Sequence, residues 1–206
     1  MKINTNTWNK IRYTLYTPGY DFIGRFFNAS RKKSIEALEI QKNDRVLFVG
    51  AGTGLDLEFI RKDCEIVATD ITPSMVERIK KRSKNLNIEI QTLLMDGHSL
   101  QFPDDSFDVV ILHLILAVIP DPVRCILEAE RVLKPGGQMA VFDKFLGKEK
   151  RVSVLRKILN PFANMLFSDI NRSFEHILKN TGLRIISDEN ADFKGAFRLI
   201  RLKKID

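Results

Sequence analysis

Three glycines alternate with other residues in the segment VGAGTGLD, directly after a short apolar run. Gly50, Gly52 and Gly54 permit a tight turn there and let the backbone approach a ligand closely, as a nucleotide-binding loop between a strand and a helix requires. Asp70 ends the next apolar run, where its carboxylate can accept hydrogen bonds from both hydroxyls of a ribose. The glycines and this acid predict a site for a ribose-bearing cofactor, and taken alone they still admit NAD.

A loop of this kind must be positioned by a sheet. From residue 45 onward, short apolar runs alternate with segments of helical periodicity, which is the pattern of a parallel sheet with crossover helices. The strands are predicted at 45–50, 65–70, 88–93, 107–114 and 138–145. Because the first run reads as a strand buried on both faces, we expect helices to cover both sides of the sheet.

Two crossover helices carry start signals. Thr72-Pro73 begins one and Asp121-Pro122 begins the other, with the first residue of each pair predicted to cap the helix and the proline at the first helical position. Pro135-Gly136 is predicted to end the second helix. Beyond residue 145 we expect a basic amphipathic stretch at 148–167, a helix near 171–180 and two β-like runs, LRIISDEN and FKGAFRLIRLKK. These runs predict an antiparallel hairpin at the sheet edge.

Further motifs distinguish between the possible cofactors. Asp96 ends the run LLMD, PDDSFDVV leads into the fourth predicted strand and RVLKPGG precedes the fifth. The loop has the spacing GxGxG instead of the GxGxxG typical of dinucleotide-binding proteins. In this order, over residues 45–145, the motifs resemble class I S-adenosylmethionine-dependent methyltransferases. The resemblance implies an α/β, Rossmann-like, doubly wound sheet of seven strands, mostly parallel, with a C-terminal antiparallel hairpin.

The resemblance also implies S-adenosylmethionine as the cofactor and a role for particular residues. The glycine loop would pass beneath the methionine part of the cofactor, and Asp70 would accept from the ribose hydroxyls with Ile71 against the adenine. Asp96 would accept from the adenine amino group. The chain after the fourth strand would line the mouth where the methyl group is transferred. The implied cofactor-binding residues are Gly50, Ala51, Gly52, Thr53, Gly54, Asp70, Ile71, Asp96, Gly97 and His113.

Methyl transfer to an amine needs the unprotonated amine, and therefore a nearby proton acceptor or an apolar mouth that favours the free base. The candidate catalytic residues are Tyr20, His113 and Asp143. Each alternative stays open: His113 lies on an apolar strand and can be a hydrogen-bonded core histidine, and Asp143 can be an ion-paired strand end. His98, after the adenine-side turn, is expected to be an exposed loop histidine.

The resemblance is strongest to soluble bacterial phosphatidylethanolamine N-methyltransferases. The shared features are Tyr20-Asp21 followed by aromatic residues, an apolar segment before Pro-Asp-Pro, and RVLKPGG. Ala117 and Val118 stand where many enzymes that methylate polar small molecules or quinone rings carry histidine. The resemblance therefore implies N-methylation of phosphatidylethanolamine or a similar amphiphile. Two alternatives remain: methylation of a quinone precursor or other small molecule, and a non-catalytic S-adenosylmethionine-binding module.

Length and composition set wider limits. The 206 residues, 44% of them hydrophobic, predict one methyltransferase domain, with an N-terminal helical lid at 1–40, a cofactor-binding core at 41–145, and substrate-side helices and the hairpin at 146–206. Cys64 and Cys125 lack partners at disulfide or zinc spacing, so no metal is expected. The N-terminus lacks an apolar signal region, which predicts a cytoplasmic protein.

The net charge of +7 favours anionic partners, although a merely solvated basic surface explains it equally well. Basic and aromatic or aliphatic residues mix at 8–16 and at 148–167, which is typical of segments that lie on a membrane surface. The expected partners are a small-molecule or phospholipid substrate and an anionic membrane, touched peripherally at its inner face. No base-flipping motif is present, so no nucleic acid is expected. The oligomeric state is left open.

Overall fold

The structure, a computed structural model, describes residues 5–146, 172–191 and 197–205, and within the first helix it leaves the side chains of residues 13, 15–20 and 23 undescribed. Two α-helices joined by a 3-10 turn precede a seven-stranded sheet. In chain order the elements are α1 (Asn6–Gly24), α2 (Asn28–Glu36), β1 (Arg45–Val49), β2 (Glu65–Asp70), α3 (Pro73–Leu86), β3 (Gln91–Leu94), β4 (Phe107–His113), α4 (Pro122–Val132), β5 (Leu133–Lys144), α5 (Phe174–Leu178), β6 (Leu183–Ala191) and β7 (Phe197–Lys204).

The strand order is β3-β2-β1-β4-β5-β7-β6. The pairs from β3 to β5 are parallel, and β7 runs antiparallel to both β5 and β6. The predicted fold class is therefore confirmed, including the hairpin at the sheet edge. Because β1 lies at the centre, with β2 on one side and β4 on the other, the chain after β1 crosses the point where the strand order reverses. That point is where open α/β sheets bind ligands.

The central strand is buried on both faces, as its apolar sequence requires. Leu47 and Val49 pack into one cluster with residues of α4, such as Ile126. Val46 and Phe48 point to the other cluster, which contains Ile79 of α3 and Ile35 of α2. Successive side chains of a strand alternate between faces, so one run of apolar residues supports a helical layer on each side.

Several predicted boundaries were wrong. The third strand begins at Gln91 instead of residue 88, because α3 ends with Asn87 in a left-handed conformation and the Ile88 N–H bonds back to Ser83. The fifth strand begins at Leu133, directly after α4, and reaches its continuous pairing with β4 only after a register shift. Gly136, with φ of +72°, turns the chain within that stretch.

Of the two predicted helix caps, one is confirmed and the other was wrong. Asp121 caps α4 by accepting a hydrogen bond from the Arg124 N–H at 3.0 Å, as predicted. Thr72 was predicted to cap α3 but its side chain makes no such bond. The carboxylate of Asp70 accepts from the Thr72 N–H instead, at 2.8 Å. The acid that ends β2 therefore also organises the start of the next helix.

Two predictions concern the C-terminal third. The helix near 171–180 is found as α5, whose N-terminus Ser173 caps by accepting from the His176 N–H. The basic stretch at 148–167 lies outside the described residues. Across residues 5–146, 172–191 and 197–205, no helix is long and apolar enough to cross a membrane.

Candidate active site

A cavity opens at the carboxyl ends of β1, β2 and β4. It encloses about 610 Å³ of empty space, part of it open to solvent. The predicted cofactor residues in its wall are Gly50, Gly52, Asp70, Ile71, Asp96 and Gly97. The rest of the wall is mostly apolar and includes Met75, Met95, Leu114, Ile115, Val118 and Ile119. The topology thus gathers both predicted acids and the glycine loop around one space.

The glycine loop depends on backbone conformations that other residues rarely adopt. Gly50, Gly52 and Gly54 have φ angles of +65°, +58° and +78°. A Cβ atom on Gly50 would lie 2.4 Å from the Cδ1 atom of Ile115, so this position also has no room for a side chain. The Ala51 N–H bonds to the carbonyl of Thr69 at 2.9 Å, which holds the loop against β2. The loop can therefore bring its backbone to the edge of the cavity.

Asp70 is held in place by two backbone groups. Its Oδ2 atom accepts from the Gly52 N–H at 2.9 Å and its Oδ1 atom from the Thr72 N–H at 2.8 Å. Burial raises the pKa of Asp70 to about 6, although these N–H groups partly offset the effect. Each oxygen of an ionised carboxylate can accept about two hydrogen bonds. Because the carboxylate also lies in the cavity wall, it can accept hydrogen bonds from a pair of neighbouring hydroxyls.

Asp96 lies at the other end of the cavity. Its Oδ1 atom accepts from both the N–H and the Nδ1 atom of His98, at 3.0 and 2.7 Å, and its Oδ2 atom accepts from Nδ2 of Asn6 at 2.5 Å. His98 was expected to be exposed, and this was wrong: only 9% of its surface is accessible. The ring is covered because it bridges Asp96 and the start of α4, where its Nε2 atom accepts from the Asp121 N–H at 3.1 Å.

Helix α1 forms one side of the cavity. Asn6 and Asn9 line it, and Nδ2 of Asn9 donates to the carbonyl of Val118 at 3.1 Å. Toward its other end, Asp21 accepts hydrogen bonds from the Thr53 hydroxyl and from Arg82. The helix therefore bonds to Asp96, to the turn after β4 and to the glycine loop. Sequence reasoning missed Asn6 and Asn9, because a polar pair at helical spacing gives no sign of its tertiary partner.

His113 takes part in a buried network away from this cavity. Its Nδ1 atom lies 2.7 Å from Asp56 and its Nε2 atom 3.0 Å from the Ser34 hydroxyl, so both ring nitrogens are occupied. Arg31 pairs with the other oxygen of Asp56 at 2.5 Å. Burial alone would raise the pKa of Asp56, but the Arg31 guanidinium and His113 outweigh it and hold this pKa well below its usual range. Sequence reasoning singled out neither Arg31 nor Asp56.

A second, smaller cavity of about 220 Å³ touches this network. Arg31, Ala51, Thr53 and His113 line it, together with Gly50 and Gly52, which it shares with the large cavity. Of the predicted cofactor-binding residues, Ala51, Thr53, Gly54 and His113 are therefore absent from the described wall of the large cavity. Their roles in binding stay predictions.

Asp143, at the end of β5, holds the turn that follows β4. Its Oδ2 atom accepts from the Ala117 N–H at 2.9 Å and its Oδ1 atom from the Lys144 N–H at 2.7 Å. Burial raises the pKa of Asp143 to about 6, partly offset by these N–H groups. Arg172 donates to the neighbouring carbonyl of Leu116. Asp143 thus fixes a wall of the cavity without lining it.

The structure describes the side chains of two of the three candidate catalytic residues. His113 and Asp143 both lie outside the described lining of the large cavity, and the side chain of Tyr20 is not described. Their catalytic roles stay predictions. Among residues 5–146, 172–191 and 197–205, no group of three or more His, Cys, Asp or Glu side chains is arranged to hold a metal ion.

Comparison with known proteins agrees with this geometry. A family described as a methyltransferase domain matches residues 47–141. A phosphatidylethanolamine N-methyltransferase from Cereibacter sphaeroides is 26% identical over 188 residues, covering 90% of this chain and 92% of that protein. A ubiquinone/menaquinone biosynthesis C-methyltransferase from Proteus mirabilis is 29% identical over 167 residues, covering 78% of this chain and 61% of the relative. The chain thus spans only about three fifths of the quinone enzyme's length.

A solved structure gives the same fold. The geranyl diphosphate C-methyltransferase from Streptomyces coelicolor A3(2), determined with S-adenosyl-L-homocysteine, superposes with a TM-score of 0.73 at 12% identity, covering 88% of this chain and 80% of that one. The cavity fits this cofactor, because it supplies a close-approaching glycine loop and one carboxylate at each end. The chain belongs to the class I S-adenosylmethionine-dependent methyltransferases, and S-adenosylmethionine is its cofactor.

Proposed function

We propose that this methyltransferase acts on the amine headgroup of phosphatidylethanolamine, or of a similar amphiphile, at the inner face of an anionic membrane. The observation that carries the proposal is an exposed aromatic pair at the C-terminal end of the helix that lines the cavity. Phe22 at the end of α1 is 76% exposed and Phe26 in the following turn is 68% exposed. Their rings stand edge to face with centroids 5.9 Å apart.

Large aromatic side chains this exposed are unusual on a soluble surface and favour contact with an apolar partner. Arg25, also exposed, stands between them in sequence, so a cation accompanies the two rings. Aromatic and basic residues together are typical of helices that lie at a membrane interface. Ile11, 51% exposed, adds an apolar side chain nearer the N-terminus of α1. The same helix presents Asn6 and Asn9 to the cavity, so a membrane held by this surface would meet the active-site side of the protein.

The apolar wall suits an amine acceptor. Leu114, Ile115, Val118 and Ile119 offer no charge to stabilise an ammonium group, and removal from water favours the free amine. When bound, S-adenosylmethionine supplies a methyl group on a sulfonium sulfur. The free amine would take that methyl group by forming a carbon–nitrogen bond as the carbon–sulfur bond breaks, with S-adenosylhomocysteine as the leaving group and the proton from nitrogen passing to solvent. Holding the two groups in line would be the main contribution of the chain.

The likeness to relatives supports the same acceptor, because the match to the phosphatidylethanolamine enzyme extends over nearly the whole of both chains. The second candidate is C-methylation of a quinone precursor, favoured by the 29% identity to the quinone enzyme. Ala117 and Val118 argue against the quinone ring as acceptor, since both positions lack the polar side chains expected there. Both candidates place the acceptor at a membrane, so the assay has to identify which molecule receives the methyl group.

The test is transfer of labelled methyl groups to vesicles. Vesicles of phosphatidylethanolamine with phosphatidylglycerol are compared with phosphatidylethanolamine in neutral phosphatidylcholine, with demethylmenaquinone in the same lipids, and with free ethanolamine. We expect label in the phospholipid, with faster transfer on the anionic vesicles, which high salt slows. Label in demethylmenaquinone, or efficient methylation of the soluble amine, would overturn the proposal.

A double variant tests the surface itself. Phe22→Ser with Phe26→Ser removes apolar side chains whose burial contributes about 1.5–3 kcal/mol each, so vesicle binding should weaken by tenfold or more. Affinity for S-adenosylhomocysteine should not change, because neither ring is among the cavity residues. The matched control is Ile205→Ser, which removes an apolar side chain of 57% exposure. Ile205 follows β7 at the amino-terminal end of the parallel strands, and the cavity lies at their carboxyl ends. Equal vesicle binding by the double variant and the control would contradict the proposed surface.

A further inference from the structure

His98 is fixed in one tautomer by its neighbours. Its Nε2 atom faces the backbone N–H of Asp121 at 3.1 Å, and a backbone N–H can only donate. Nε2 must therefore accept, which leaves the ring proton on Nδ1. That proton points to Oδ1 of Asp96, 2.7 Å away. The backbone at the start of α4 thus determines which hydrogen bond His98 offers to the acid at the end of the cavity.

The acceptor positions of Asp96 are almost fully used. An ionised carboxylate accepts about four hydrogen bonds, two on each oxygen. Oδ1 takes two from His98, through its backbone N–H at 3.0 Å and through Nδ1 at 2.7 Å, and Oδ2 takes one from Asn6 at 2.5 Å. Among the described residues, one acceptor position is left, and it is on Oδ2. Both Asp96 and Asn6 line the cavity, so that position belongs to the ligand site.

We propose that His98 and Asn6 are positioning residues that make Asp96 selective for a base carrying an exocyclic amino group. They act by occupying three acceptor positions and fixing the carboxylate, so that one donor from the ligand completes the set. An amino group supplies that donor. A base with a carbonyl in its place brings a second acceptor against the carboxylate and leaves the acid unsatisfied. Sites built around such a bond reject analogues that lack the donor. The inference rests on the proposed cofactor role of Asp96.

The test compares S-adenosylhomocysteine with S-inosylhomocysteine, in which a carbonyl replaces the amino group and the adjacent ring nitrogen N1 carries a proton, by calorimetric titration of the full chain. We expect the unmodified protein to prefer the adenine ligand by about tenfold or more, the equivalent of one lost hydrogen bond to a charged group. No acceptor substrate is present, so the result is independent of which lipid or small molecule is methylated.

Two variants of His98 separate its two hydrogen bonds. His98→Asn places an amide donor near the position of Nδ1 and should keep the preference for adenine, while it loses the bond to Asp121. His98→Gln places an oxygen near the position of Nε2 and should keep the bond to Asp121, while the preference for adenine falls to within about threefold. Asn6→Ala, in the first turn of α1, should also reduce the preference by at least about threefold.

A merely structural role of His98 or Asn6 would leave unchanged the ratio of the affinities for S-adenosylhomocysteine and S-inosylhomocysteine. Equal loss of affinity for both ligands in His98→Gln and Asn6→Ala would overturn the inference, as would a wild-type protein that binds both ligands equally. Failure of the wild-type protein to bind S-adenosylhomocysteine at all would overturn it by a different route, since the cofactor site itself would then be wrong.

Discussion

Replacing Gly50 with alanine perturbs the loop at the position where the structure has the least room. Two separate costs arise. The residue has φ of +65°, a conformation that costs a residue with a Cβ atom about 1–2 kcal/mol. The new Cβ would also lie 2.4 Å from Cδ1, 3.0 Å from Cγ1 and 3.3 Å from Cβ of Ile115, so rotating the end of that side chain does not remove the overlap. Overpacking of this kind costs about 1–3 kcal/mol more.

Gly136 provides the matched control. Its φ of +72° carries the same backbone cost, but a Cβ there would meet nothing within 4 Å. We expect Gly136→Ala to lower the free energy of unfolding by about 1–2 kcal/mol and Gly50→Ala by about 2–5 kcal/mol. The entropy that alanine removes from the unfolded chain is the same in both variants, so it cancels in the comparison.

Urea unfolding measures the loss of stability, and calorimetric titration with S-adenosylhomocysteine measures the effect on cofactor binding. Because Ile115 lines the cavity, its displacement should also weaken cofactor binding in Gly50→Ala, whereas Gly136→Ala should bind normally. Adding Ile115→Val to Gly50→Ala removes the Cδ1 atom, and it should recover part of the lost affinity. If Gly50→Ala and Gly136→Ala are equally stable and bind equally well, the described contact between the loop and the turn after β4 is wrong.

Three further predictions concern buried polar groups. The pKa of Asp70 is about 6 in the folded protein against an ordinary value of 3.8, so this acid favours the folded state below about pH 4 and the contribution is lost as pH rises to 6. Because ribose hydroxyls need the ionised carboxylate, cofactor binding should tighten from about pH 5 to 7 and release protons near pH 6. Calorimetry in two buffers measures this proton release, and Asp70→Asn should abolish it. Asp143→Ala should leave that proton release intact but lower the free energy of unfolding by about 1–3 kcal/mol, because the Ala117 N–H loses its acceptor, and an unchanged urea midpoint would contradict this. If His113 serves the buried network, His113→Phe should lower the free energy of unfolding by about 1–3 kcal/mol and leave kcat within about threefold of wild type. A loss of kcat of about a hundredfold or more at unchanged stability would instead support the general-base prediction.

The sequence predicted the fold well because its strongest signals are local. Apolar runs, a proline at the start of two helices and the glycine loop each follow from the chemistry of a few neighbouring residues, and together they place Asp70 and Asp96 correctly at one cavity. The errors arose where distant contacts decide. The start of β3 depends on the left-handed Asn87, and the burial of His98 depends on the start of α4 covering it.

The side-chain roles were harder to predict for the same reason. Asp143 ends its strand at the ligand edge of the sheet, as expected, yet its carboxylate is directed to the Ala117 N–H, which only tertiary structure brings near it. His113 likewise finds Ser34 and Asp56 from remote parts of the chain. Asn6 and Asn9 reach the cavity because α1 packs across it, and no periodicity of the helix indicates that position.

Titration with S-adenosylhomocysteine of the wild-type protein, of Asp70→Ala and of a control carboxylate variant tests the central assignment most directly. The control is Asp104→Ala, whose side chain is 71% exposed and which precedes β4, at the edge of the sheet away from the cavity. We predict one binding site, weakened by about 1–3 kcal/mol in Asp70→Ala, which is about 5- to 150-fold, and unchanged in Asp104→Ala. Unchanged affinity in a folded Asp70→Ala protein, or preference for NADH over S-adenosylhomocysteine, would contradict the placement of the cofactor at this cavity.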